Sequence, residues 1–173
     1  MKNLKLLFIT FLLTSCGTIV NYDYEKSTNF DDYKTYNYFD DIETGLSELD
    51  TKRLIRVMDK KLKAMGFSRT DNPDFYIDIQ SQSIVSRNNS SVGVGVGGGS
   101  GGGFGGVSVG IPVGQNKQSR ELIIDFVDET KTGLFWQAIS ESSFNPNASP
   151  EKREALFAKI IDKVFAEYPP QKD

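Results

Sequence analysis

A single cysteine, Cys16, closes an N-terminal apolar run, and none follows in the body of the chain. No disulfide can form within the chain, so the fold rests on an apolar core. Histidine is absent altogether, which removes the commonest general base and the commonest transition-metal ligand. Ser-His and Cys-His nucleophile systems are excluded in the body of the chain, and a catalytic serine would need Lys as its base. The 173 residues hold one domain of ordinary size plus a targeting segment. An aromatic share of 12%, mostly Phe and Tyr, supplies material for a core.

Lys2 and Lys5 form a short basic start, and Leu6 to Leu13 is an apolar stretch of eight residues broken only by Thr10. A spanning helix needs about 20 apolar residues, so this segment reads as the apolar part of a signal peptide. Leu13-Thr14-Ser15-Cys16 resembles the bacterial lipobox, with Leu three residues before the Cys and small residues between. The resemblance implies that residues 1–15 are removed and that Cys16 carries a thioether-linked diacylglycerol and an acylated amine. That makes a covalent lipid, with no other cofactor expected. Each buried CH₂ contributes about 0.8 kcal/mol, and several chains anchor stably. Gly17 follows, where Asp would suggest inner-membrane retention, so outer-membrane placement facing the periplasm is expected. Without Lys2 and Lys5 the mature part keeps 18 basic against 23 acidic side chains, a formal −5. That balance argues against a nucleic-acid partner, which would need a basic face.

Val20 to Tyr24 alternates apolar or aromatic with polar residues, and Thr35 to Phe39 repeats the pattern, as half-buried strands do. The two could pair with each other or join different edges of one sheet. Tyr22, Tyr24, Tyr36 and Tyr38 could form a stacking platform for sugars or bases; the favoured reading is packing on a sheet face. From Ser47 to Met65 the period is helical, with Leu54, Met58, Leu62 and Met65 on one stripe, Ser47 or Asp50 as N-cap and Gly66 as the stop. The basic residues of this helix read as a solvated face. Asn72-Pro73-Asp74 is a turn leading into a strand, Phe75 to Gln80. Asp74 and Asp78 fall on one side of it, about 13 Å apart at roughly 3.3 Å per residue, too far to share one cation without other ligands. Glu121 to Asp128 and Leu134 to Ile139 flank a turn and predict an antiparallel hairpin. Ser149 as N-cap and Pro150 open a last helix with Leu156, Ile160, Val164 and Tyr168 on its buried stripe, ended by Pro169-Pro170.

Residues 93–114 hold 12 of the 16 glycines. Val92, Val94 and Val96 alternate with glycine before the run, and Val107, Val109, Ile111 and Val113 alternate after it. This predicts a long Gly-rich hairpin or loop, and its apolar residues are a candidate partner surface. Gly97, Gly99 and Gly102 satisfy G-x-G-x-x-G, but in so glycine-rich a run the match is nearly automatic and no helix or Lys-Ser/Thr pair follows.

The order of segments resembles the bacterial lipoprotein family known as domain of unknown function 4136. The resemblance is carried by Tyr22-Asp23-Tyr24 with Phe30 to Tyr36, Met65-Gly66-Phe67 with Asn72 to Phe75, Leu122 to Asp128 with Lys131 and Phe135-Trp136, and Phe165 to Pro170. It implies a single envelope-anchored α+β domain over residues 16–173, a mainly antiparallel sheet packed by two helices. It assigns no catalytic residues. The expected function is a non-catalytic binding or structural role at the membrane, with an envelope protein as partner. One alternative is an accessory subunit of an envelope transport or assembly complex. A second is a hydrolase using carboxylates among Asp74, Asp78, Asp125 and Asp128. No catalytic or metal site is expected.

Overall fold

The computed structural model describes residues 18–40, 42–85, 118–131 and 133–171. In chain order these are β1 (Ile19–Tyr24), a 3₁₀ turn (Phe30–Asp32), β2 (Thr35–Tyr38), α1 (Glu48–Ala64), β3 (Ser68–Arg69), β4 (Phe75–Val85), β5 (Gln118–Asp128), β6 (Gly133–Ser143) and α2 (Pro150–Val164). The strands form one six-stranded sheet in the order β1-β6-β5-β4-β2-β3. The fold is α+β, as expected, but the sheet is mixed. β4, β5, β6 and β1 pair antiparallel, whereas β2 runs parallel to both β4 and β3. The reason is α1: a helix between β2 and the next strand carries the chain back along the sheet, and the strand that follows lies parallel. Of the two arrangements open for the first two strands, the structure takes different flanks of one sheet. The predicted β5–β6 hairpin is present: β5 begins earlier than expected and ends at Asp128 as expected, β6 is longer at both ends, and a bulge between Phe126 and Val127 shifts the register. Cys16 and the Gly-rich segment, with Val92, Val94, Val96, Val107, Val109, Ile111 and Val113, lie outside the described residues.

Local chemistry sets both helix limits. The Ser47 side chain accepts from the Asp50 N–H and the Ser149 side chain from the Lys152 N–H, with Pro150 opening α2. Gly66 follows α1 with φ of 94°, a conformation glycine adopts freely. The helices run parallel, since Asp50–Arg153, Arg56–Glu154 and Lys61–Asp162 pairs ascend both together. They cover one face of the sheet. Leu54, Met58 and Leu62 of α1, with Ile161 and Val164 of α2, close over Phe75, Ile77, Ile79, Ile124, Phe126 and Trp136, all essentially without exposure. Each such side chain contributes about 1.5–3 kcal/mol on burial. The tyrosines pack, as favoured: Tyr36 and Tyr38 are buried, and Tyr22 and Tyr24 lie against the core. Both Tyr36 and Tyr38 hydroxyls donate to Asp59 Oδ1 at 2.8 Å, pinning β2 to α1.

Three aspartates tie distant segments together. Asp50, 2% exposed, accepts from Arg53 at 2.8 Å and Arg153 at 2.5 Å. The Asp74 carboxylate takes the N–H of Lys34 and both the N–H and hydroxyl of Thr35. Asp128 accepts from the Thr130 N–H and hydroxyl, the Lys131 N–H and the Tyr33 hydroxyl. Burial pushes each of these carboxyls up, but the bonds prevail and hold all three below the ordinary carboxylate range. A carboxyl depressed in the fold adds stability above its unfolded value, about 4, and loses it as pH falls through the folded value. The urea midpoint is therefore expected to hold from pH 7 down to about pH 5 and to fall steeply below about 4. Asp50→Ala leaves two guanidiniums facing each other and should cost about 3 kcal/mol in urea unfolding.

Glycine is required at one further point. Gly45 has φ of 67°, and a Cβ there would sit 2.5 Å from the Ser81 carbonyl oxygen. Gly45→Ala should cost about 2 kcal/mol or more, against about 1 for Gly66→Ala, where the added Cβ meets open space. Thermal unfolding of the two variants measures the difference.

Candidate functional site

Among the described residues no helix lies over the face of the sheet opposite α1 and α2. Strand alternation assigns its positions, and register sets them in rows. Asp78 lies opposite Asp125, Asp125 opposite Gln137, and Gln137 opposite Asp23. The next rows are Gln80–Ile123–Ile139–Asn21 and Gln82–Glu121–Glu141–Ile19, with Tyr76–Val127–Leu134 on the other side. Five carboxylates therefore stand on this face, interleaved with Ile123, Ile139, Val127 and Leu134. No Lys or Arg occupies its described positions on β1, β4, β5 or β6.

At one side the connection from β2 to α1 rises over the sheet. Phe39 stacks on Tyr76, ring centroids 5.1 Å apart, and Ile42, Glu43 and Gly45 complete a wall. Between wall and sheet lies a groove of about 720 Å³, floored by Asp78, Gln80, Ser81, Asp125, Val127 and Leu134. The close approach of Gly45 to Ser81 holds the wall down. A smaller hollow of about 250 Å³, lined by Asp23, Glu25 and Gln137 among others, extends the same face past Leu134.

Asp78 accepts from the Ile79 N–H and the Gln80 amide, each at 2.9 Å, and Asp125 from the Gln137 amide at 2.8 Å. Burial raises the Asp125 carboxyl above its ordinary value; the Gln137 bond opposes this and the Asp78 charge adds to it. Facing carboxyls in a groove attract a cation or a basic side chain, and two such groups are also what acid–base work requires. Among the described residues no cluster of three or more His, Cys, Asp or Glu has the arrangement to hold a metal ion. Of the four aspartates singled out from the sequence, the fold brings Asp78 and Asp125 together and spends Asp74 and Asp128 as clamps. Glu43 in the wall had no local signal, because it stands in a loop.

A carboxyl raised in the fold destabilises when ionised, so its contribution is lost as pH rises through its unfolded and folded values. Asp125→Asn should therefore raise the urea midpoint at pH 7, with the gain vanishing below about pH 4, where the aspartate is neutral. Titration followed by NMR should place Asp125 above Asp50, Asp74 and Asp128 and move it down in Asp78→Asn.

Among solved structures the fold is similar to a PDZ domain protein from Parabacteroides distasonis, with a TM-score of 0.56 and 13% identity. That alignment takes in 99% of this chain but 41% of the other, so the chain spans less than half of that protein. It is also similar to the PelC dodecamer from Paraburkholderia phytofirmans, with a TM-score of 0.50, 10% identity and coverage of 87% and 96%. At such identities the likeness is one of fold. No curated protein matches by sequence. Residues 20–170 match the family described as Domain of unknown function (DUF4136), a stretch that contains both helices and every strand but for the first residue of β1. The chain belongs to that family.

Proposed function

We propose that this protein is a lipoprotein of the cell envelope, anchored in the outer membrane through Cys16, with a non-catalytic binding role. Its partner is an envelope protein that presents a basic, partly apolar segment to the open sheet face. The observation that carries the reading is that face. Among the described residues both helices lie on one side of the sheet, and the strand positions of the other side carry five carboxylates and no Lys or Arg, which raises a negative field between apolar rows. Such a surface selects by charge and gains affinity by apolar contact. The lipobox supplies location, and the match over residues 20–170 supports a domain that follows it directly.

A second reading is an accessory subunit of an envelope assembly. The likeness of fold to a protein described as a dodecamer supports it, with the same face as the contact surface. The facing pair Asp78 and Asp125 supports a third, carboxylate-dependent hydrolysis, since their environments differ.

Intact mass and membrane fractionation of the expressed protein, beside Cys16→Ala, test the anchoring. The native protein should lose residues 1–15, gain acyl mass and sediment with membranes, and the variant should do none of these. A native protein that is soluble and unlipidated would overturn the lipoprotein reading.

A further inference from the structure

Register fixes which end of the fold the chain start occupies. Ile19 lies opposite Glu141, Glu141 opposite Glu121, and Glu121 opposite Gln82, so β1 begins where β6 ends, β5 begins and β4 ends. Both helices begin at that end as well, because Gly45 passes against Ser81 just before α1 and Arg153 of α2 bonds Asp50 of α1. Three of the four exposed large apolar side chains among the described residues gather there: Ile19 at 63%, Leu49 at 63% and Ile84 at 38% exposure. The fourth, Leu134, starts β6 at the opposite end.

The same end holds a cationic cluster. Arg53 and Arg153 share Asp50, and Arg120 lies beside them, its guanidinium 3.9 Å over the Phe144 ring. Arg120 Nε is buried with no hydrogen-bond partner, and its Nη1 reaches only the Ser81 hydroxyl at 3.5 Å. Three guanidiniums stand against two carboxylates, Asp50 among them and Glu151 near Arg53, which leaves one positive charge in excess, with free donors on Arg120 and the N–H groups of two helix starts nearby.

From this we propose that the end of the fold carrying Ile19, Leu49 and Ile84 is a lipid-docking face. These side chains enter the interfacial layer, and the arginine cluster, led by Arg120, takes the phosphate of an anionic phospholipid headgroup. The inference rests on the lipoprotein reading for its occupant. Cys16 precedes Thr18 by two residues, at most about 7 Å of extended chain, so a lipid on Cys16 brings this end to the bilayer surface. Exposed apolar side chains beside cations are the composition that binds an anionic interface. Of the open-face acids only Glu121 and Glu141 share a row with Ile19 at this end, where they oppose an anionic surface, whereas Asp23, Asp78 and Asp125 lie in a row farther along the strands and stand clear of it.

The chain from residue 17 onward keeps every described strand, helix and core residue and lacks the anchor. Co-sedimentation of this form with phosphatidylglycerol–phosphatidylethanolamine vesicles, beside pure phosphatidylcholine vesicles, tests the docking face. Binding to the anionic vesicles is expected, weakened at high salt, about fivefold weaker in Arg120→Gln and about tenfold or more weaker in Leu49→Ser/Ile84→Ser. Leu134→Ser, altered at the far end, should bind as the native sequence does. Since Leu49 and Ile84 are exposed, their variant keeps its fold and tests the docking face even if Arg120→Gln should unfold. Absence of binding to anionic vesicles overturns the docking face whether or not Cys16 is lipidated in cells. So does full displacement by inorganic phosphate together with no effect of Leu49→Ser/Ile84→Ser, which would mark a site for free phosphate. Vesicle binding with an unlipidated Cys16 in cells would instead overturn the lipoprotein reading and leave the docking face standing.

Discussion

Phe126 and Trp136 stand side by side on neighbouring strands, ring centroids 4.7 Å apart, and the helix side of the sheet is assembled on them. Phe165 stacks on Trp136 at 5.8 Å, Tyr168 meets both rings edge-on, and Phe75 packs against Phe126 at 4.6 Å. These contacts hold the end of α2 to the sheet and draw Phe30 in through Tyr168. Edge-to-face and offset pairs of this kind add about 0.5–1.5 kcal/mol each beyond the area they bury. With both helices and most of the large aromatic residues committed to one side, what remains for the other face of the described strands is the Phe39–Tyr76 pair at one side, amides, isolated aliphatic residues and acids.

The acids divide by how their oxygens are satisfied. Asp50, Asp74 and Asp128 receive guanidinium, hydroxyl or backbone N–H donors from segments far off in sequence or from a turn, and all are held below the ordinary range. Their negative charge is used up in closing the fold. Asp125 has one side-chain amide and a neighbouring carboxylate, and its carboxyl is raised. A charge left without a compensating cation inside the protein is available to one outside it, and this separates the open face from the structural acids.

The helices were legible because their signals are local: Ser47, Gly66, Ser149 and Pro150 punctuate, and Leu54, Met58 and Leu62 keep the period. Strand alternation likewise exposed β4, β5 and β6. The parallel pairing of β2 was not legible, since it depends on where α1 returns the chain, and a strand of four residues reads the same in either direction. β3, two residues long, has no period to read. Within the site, Asp78 and Asp125 were visible as acids on separate strands, but their facing depends on register across a connection of more than thirty residues. The arginine cluster had no linear trace at all. Arg53, Arg120 and Arg153 come from three elements, and Asp50 read only as a helix cap.

The claim that the acidic open face meets a protein partner is tested most directly by site-specific photocrosslinking in cells. A photoreactive residue would replace Ile139 or Gln80 on that face and, for comparison, Lys60 on α1. A discrete adduct from Ile139 and Gln80 that disappears in Asp78→Lys/Asp125→Lys, with none from Lys60, is the predicted result. Adducts from Lys60 with none from the open face would contradict it.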